Sequence, residues 1–92
     1  MLEIKFTASM KRDVKRLKKQ GKDISKLQAI LSLLAAMQPL PAKSRDHALT
    51  GDKKMYRECH IEPDWLLVYQ VRRTELILMA VATGSHADLF GM

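Results

Sequence analysis

Three histidines in a chain of 92 residues, His47, His60 and His86, are the side chains best suited to chemistry. Imidazole titrates near neutrality, so each can take or give a proton at physiological pH. The densest neighbourhood is Arg57-Glu58-Cys59-His60-Ile61-Glu62-Pro63-Asp64-Trp65. On an extended strand Arg57, Cys59 and Ile61 face one way, and Tyr56, Glu58 and His60 the other. Pro63 ends the pairing and puts Asp64 in a turn, so His60 and Asp64 are expected to converge at one end of a hairpin. Singly, each residue has a plainer reading: a surface or core histidine, a turn-capping carboxylate for Asp64, core packing for Trp65. Together they favour RNA cleavage without a metal. That reaction needs a base for the 2′-hydroxyl proton, an acid for the departing 5′-oxygen, and cations that offset charge on the phosphorane.

The cations are distributed unevenly. The formal charge is +6, and residues 1–26 hold nine Lys or Arg against three acids, whereas the rest of the chain holds seven of each sign. All of the net charge therefore sits in the first quarter, which points to a polyanion such as nucleic acid, or to an acidic protein partner. Lys11, Arg12, Lys15, Arg16, Lys18 and Lys19 are the candidates for phosphate contacts with such a polyanion, and Lys53 and Lys54 for contacts beside the site. Arg57 is a candidate for substrate phosphate, but its strand face is opposite to that of His60, which favours a structural ion pair equally.

The elements that must position these groups follow from periodicity. Leu2, Ile4 and Phe6 alternate with Glu3 and Lys5 as in a half-buried strand. Thr7 or Ser9 then caps a helix with apolar positions Met10, Val14 and Leu17, ending near Gly21. A second helix starts around Asp23 or Ser25, carries Leu27, Ile30, Leu31 and Leu34, and is stopped by Pro39 and Pro41. Residues 42–54 turn polar and are expected to form an ordered loop that holds His47. Strands follow over Met55 to Ile61, Leu66 to Val71 and Leu76 to Ala82, with links short enough for an antiparallel meander. The order β-α-α-β-β-β gives an α+β single domain over residues 1–92: a two-helix hairpin packed on one face of a small, mainly antiparallel sheet, with the other face available. The tail from Thr83 to Met92 is expected to form a single helical turn or a loop, folded back over that face.

Cys59 is the only cysteine, so a disulfide framework and a multi-cysteine zinc site are excluded; a buried, inert thiol is expected. No apolar run approaches the roughly 20 residues that span a bilayer, and the N-terminus lacks the apolar block of a signal peptide, so no membrane partner and a cytoplasmic location are expected.

Three runs carry a family resemblance: Asp46-His47-Ala48-Leu49-Thr50-Gly51; Arg57 to Trp65 followed by Leu67-Val68-Tyr69; and Thr83-Gly84-Ser85-His86-Ala87-Asp88-Leu89-Phe90. In order and spacing they resemble the three motifs of the YafQ-type toxins in the RelE/ParE superfamily, over essentially the whole chain. The resemblance implies a RelE-like microbial ribonuclease fold and cleavage of messenger RNA in the ribosomal A site. It implies 2′-hydroxyl attack that leaves a 2′,3′-cyclic phosphate, with no metal or cofactor. It places the family's active-site histidines on His47, His60 and His86, its carboxylate on Asp64, and its aromatic substrate neighbours on Trp65 and Phe90. His86 is expected to be the general acid, Asp64 or His60 the base, and His47 a phosphate ligand. A cognate antitoxin is the implied protein partner, with DNA met only indirectly through the antitoxin complex.

Three rival readings compete. ParE-type members of the superfamily are interaction modules that inhibit DNA gyrase, and fold alone does not separate them; the histidines and Asp64 do. A metal site would use the same side chains, but their spacing is poor for it. A small DNA-binding protein suits the charge but lacks a helix-turn-helix.

Overall fold

The computed structural model describes residues 1–91 and runs β1 (Glu3–Phe6), α1 (Ala8–Lys19), α2 (Ile24–Ala35), β2 (His47–Ala48), β3 (Arg57–Glu62), β4 (Trp65–Arg72), β5 (Ile77–Gly84) and α3 (His86–Phe90). The expectation for the tail stopped at Met92, which lies outside the described residues.

Strand order is β1-β5-β4-β3-β2. The pairs β5-β4, β4-β3 and β3-β2 are antiparallel, as short links require, and β1 joins β5 in parallel because the helical hairpin carries the chain across the sheet. The mixed α+β architecture read from the sequence is therefore present, with one strand more. Residues 42–54 do not form a plain loop: they contain β2 between two 3₁₀ turns, Ala42–Ser44 and Gly51–Lys53. A two-residue strand lies below the length at which alternation is legible.

Thr7 caps α1: its hydroxyl accepts from the Met10 N–H at 3.0 Å and donates to the Val81 carbonyl at 2.7 Å, which ties the helix start to β5. Met10 and Leu17 are buried and Val14 packs against them, the spacing that the sequence predicts. Asp23 caps α2. That helix ends before the prolines, because Met37 takes a left-handed conformation and the Met37 and Gln38 N–H groups bond back to the carbonyls of Leu34 and Leu33 at 3.0 and 2.9 Å. A Schellman closure of this kind is self-sufficient, so Pro39 only prevents resumption.

The core lies between the helices and one sheet face: Leu17, Leu27, Leu31 and Leu34 meet Cys59, Trp65, Leu67, Tyr69, Leu78 and Ala80. Register shifts at Ile61 in β3 and at Val81 in β5 interrupt alternation. The second returns Thr83, rather than Ala82, to the helix side opposite Leu67. Thr83 is fully buried there, accepting from the Trp65 indole N–H at 2.9 Å and donating to the Leu66 carbonyl at 2.6 Å. Cys59 is fully buried, and burial pushes its thiol up to about 12, so it stays protonated and inert as expected.

Candidate active site

Cross-strand register assembles the site. His47 pairs with Glu58, Glu58 with Val68, and Val68 with Ala82; one row on, His60 pairs with Leu66, and Leu66 with Gly84. Partners directly opposite share a face. Cys59 between Glu58 and His60 belongs to the core, so His47, Glu58 and His60 all lie on the face without helices. The expectation that His60 projects from that face holds, and β2 brings His47 to it.

Each histidine gives its Nδ1 to an oxygen that only accepts. Nδ1 of His47 lies 2.6 Å from the Arg45 carbonyl, that of His60 lies 3.2 Å from the Pro63 carbonyl, and that of His86 lies 2.7 Å from Asp64 Oδ1. A carbonyl or carboxylate oxygen has no proton to offer, so in each ring Nδ1 donates and Nε2 is left for chemistry. Nε2 of His47 is 3.8 Å from Oε1 of the buried Glu58, a carboxylate that sequence reasoning did not single out. Its position two residues before His60 on a strand was the available signal.

The rings of His60 and His86 stand 5.8 Å apart at 55°. Asp64 is at their end of the hairpin, where convergence with His60 is expected, and its hydrogen-bond partner there is His86. Asp64 Oδ1 accepts from both the backbone N–H of His86 at 3.0 Å and its ring. These two donors, the backbone one first, hold the Asp64 carboxyl below the ordinary carboxylate range. A carboxylate so occupied is a weak base and a good orienting group.

His86 opens α3, whose placement depends on its motif neighbours Gly84, Ser85 and Asp88 and on Asp13 and Arg16 of α1. Ser85 and Asp88 form a capping box, with the Ser85 hydroxyl accepting from the Asp88 N–H and the Asp88 carboxylate from the Ser85 N–H. Arg16 reaches across from α1 to the Thr83 carbonyl at 3.1 Å and to Asp88 at 3.5 Å, and Asp13 accepts from both Arg16 and the Thr83 N–H. A Cβ on Gly84 would come within 2.8 Å of Arg16 Nη2 and Asp88 Oδ2, so only glycine lets helix and strand close here. The spacing Ser85-x-x-Asp88 was the legible sign of this helix.

Three expected site residues lie elsewhere. Trp65 is not available to substrate: it is buried on the helix side with Leu67 and Tyr69, its indole committed to Thr83. Arg57 pairs with Asp46 at 3.2 Å on the face opposite His60, which decides for the ion pair. Arg16, expected among the free phosphate-binding cations, is engaged in the lock just described. By contrast Lys11, Arg12, Lys15, Lys18 and Lys19 are exposed along α1, Lys53 and Lys54 are exposed beside β2, and Phe90 is exposed on α3.

The family model for the bacterial toxin of type II toxin-antitoxin systems, YafQ, matches residues 2–91. The chain belongs to the YafQ toxin family. The mRNA interferase toxin YafQ of Escherichia coli K12 is 42% identical over 90 residues, 97% of this chain and 96% of that protein. Among solved structures, the E. coli DinJ-YafQ toxin-antitoxin complex aligns with a TM-score of 0.87 at 41% identity, covering 98% of each chain. A metal-bound toxin from Helicobacter pylori aligns with a TM-score of 0.93 at 44% identity, covering 98% of this chain and 100% of that one. Among the described residues of the present toxin, no three His, Cys, Asp or Glu side chains gather as a metal-binding group. No described helix of the toxin is long and apolar enough to cross a membrane.

Proposed function

We propose that this toxin is an endoribonuclease that cuts messenger RNA in the ribosomal A site by acid-base catalysis on the 2′-hydroxyl; its E. coli relative is named an mRNA interferase toxin. The observation that carries the reading is the set of three imidazoles with Nδ1 bound to oxygen, two of which, His60 and His86, have their rings 5.8 Å apart. His60, neutral and with its Nε2 lone pair available, takes the 2′-hydroxyl proton as that oxygen attacks phosphorus. His86 gives a proton from Nε2 to the departing 5′-oxygen, leaving a 2′,3′-cyclic phosphate. Asp64 orients His86 and stabilises its imidazolium, the part a carboxylate plays behind a catalytic histidine. His47, held beside Glu58, contacts the phosphate when protonated, with Lys53 and Lys54 adding positive charge. Phe90, exposed one helical turn after His86, offers a stacking face to a base.

The remaining partners follow from charge. Lys11, Arg12, Lys15, Lys18 and Lys19 hold ribosomal RNA through phosphate contacts, so ribosome affinity falls steeply with salt. An antitoxin is the protein partner, as DinJ is for the E. coli toxin, and its acidic segments suit the same helix. Ribosomes and messages place the toxin in the cytoplasm.

The test is to add the toxin to translating ribosomes with and without a chelator and to sequence and chemically map the cleaved ends. Cuts within the A-site codon that end in cyclic phosphate and persist in chelator are expected. Absence of cleavage, or cleavage abolished by the chelator and restored by a metal, overturns the reading.

A further inference from the structure

Beside the histidine pair, at the edge of the sheet, lies a cavity of about 530 Å³, within the range of small-ligand pockets. On that side of β3 pairing stops at Glu58, because β2 is only two residues long. Its walls are apolar, from Ala29 and Ile30 of α2, Pro41, and Ile61 of β3. Lys43 and Arg45 line it from the segment leading into β2, and neither forms an ion pair among the described residues; Lys26 also lines it but is held by Glu62 at 2.7 Å. His60 lies on its rim, whereas His86 and Asp64 do not line it. His60 thus stands between the cavity and its catalytic partner.

That arrangement gives the cavity a side of the substrate. The base acts on the nucleotide that carries the attacking 2′-hydroxyl, and the acid acts on the one that leaves. We infer that the cavity is the subsite for the nucleotide on the 5′ side of the cleaved bond, its base between the apolar walls and its preceding phosphate on Lys43 and Arg45. The inference rests on the assignment of His60 as base and His86 as acid. Aliphatic walls take a base by close apolar packing, and the unpaired cations Lys43 and Arg45 take the backbone phosphate. The subsite contributes to which codon positions are cut, because a pocket shaped for one base penalises a larger one.

Two variants test it in the full-length toxin on translating ribosomes. Ala29→Trp fills the cavity from an exposed helix position. Lys43→Ala removes one of the two unpaired cations from an exposed position of the 3₁₀ turn before β2 and leaves the Arg45 carbonyl on His47 in place, so it does not endanger folding or the site. Each is expected to raise KM about tenfold, the scale of one lost base or phosphate contact, with kcat unchanged. Ala29→Trp is further expected to alter the base preference immediately 5′ of the cut and not that 3′ of it. An unaltered cut-site profile and KM in both folded variants overturns the subsite while wild-type cleavage upholds the nuclease reading. A changed preference only 3′ of the cut, or an effect confined to antitoxin affinity, also overturns it. A wild-type toxin that cleaves nothing overturns both.

Discussion

The two ends of β3 are built from similar ingredients and put them to opposite uses. At its start, Asp46 is shared by Arg57 and the Tyr69 hydroxyl. At its end, Asp64 is shared by the backbone and ring of His86, with His60 beside it. Tyr69 is 1% exposed, and burial together with Asp46 pushes its phenol far above neutrality, so nothing there changes protonation in the physiological range. The Asp64 and His86 side chains are 70% and 41% exposed, and an imidazole, unlike a phenol, is a side chain suited to exchanging protons with substrate or water. A carboxylate beside a cation and an aromatic is thus not a sign of chemistry by itself. What separates structure from function is whether a proton can leave.

The sharpest way to break this contrast is His86→Ala. Cleavage on ribosomes is expected to fall about 10²- to 10⁴-fold in kcat with the denaturation midpoint retained, as for loss of a general acid. Cleavage close to wild type by the folded variant would make the open end as structural as the other.

Asp64→Ala comes next, with a loss of about 10- to 100-fold, the scale for a partner that orients a functional histidine. If Asp64 were instead the base, single-turnover measurements would show a loss as large as that of His60→Ala.

At the closed end, Asp46→Ala leaves the Tyr69 hydroxyl and Arg57 without their shared acceptor. Urea titration should show a cost of about 1–3 kcal/mol, while kcat of the folded protein is unchanged. A stable variant with lost activity would bring that end into the site.

The smallest effect belongs to Glu62, which bonds Lys26 and Lys22 on the surface near the open end. Hydrogen bonding to Lys26 lowers the Glu62 carboxyl, and the same bond raises the Lys26 ammonium. The Glu62 contribution is present above the ordinary carboxylate range and is lost as pH falls through its lowered folded value. The Lys26 contribution is present below the ordinary lysine range and is lost as pH rises through its raised folded value. Glu62→Gln should therefore lower Tm by no more than about 4 °C, evenly between about pH 5 and pH 10, with the gap closing outside that window. A gap that opens only in acid would place another group in charge of this contact.

Most elements were legible because their faces are simple. Met10, Val14 and Leu17, or Leu27, Leu31 and Leu34, sit at helical spacing against one sheet, and Thr7 and Asp23 cap where polar side chains precede apolar runs. Strand alternation put His60 on the open face correctly. It failed at β2, too short to alternate, and beyond Ile61 and Val81, where an added residue changes which side chains face inward. Trp65 illustrates the cost: beside Asp64 in sequence it reads as part of the site, and the hairpin turns it to the opposite face.

The sequence by itself determined the helices, the meander, the basic first helix and the residue types of an acid-base site, since these depend on local spacing and on side-chain chemistry. It also carried the family motifs. Only the tertiary structure decided that Asp64 bonds His86, that Arg16 bonds Thr83 and Asp88 beside α3, that Arg57 pairs with Asp46, and that the Trp65 indole bonds Thr83 in the core. The physical reason is common to all four. A hydrogen bond or an ion pair acts over about 3 Å, and which groups come that close across 22 or 67 residues of chain is set by packing and register, which no local pattern encodes.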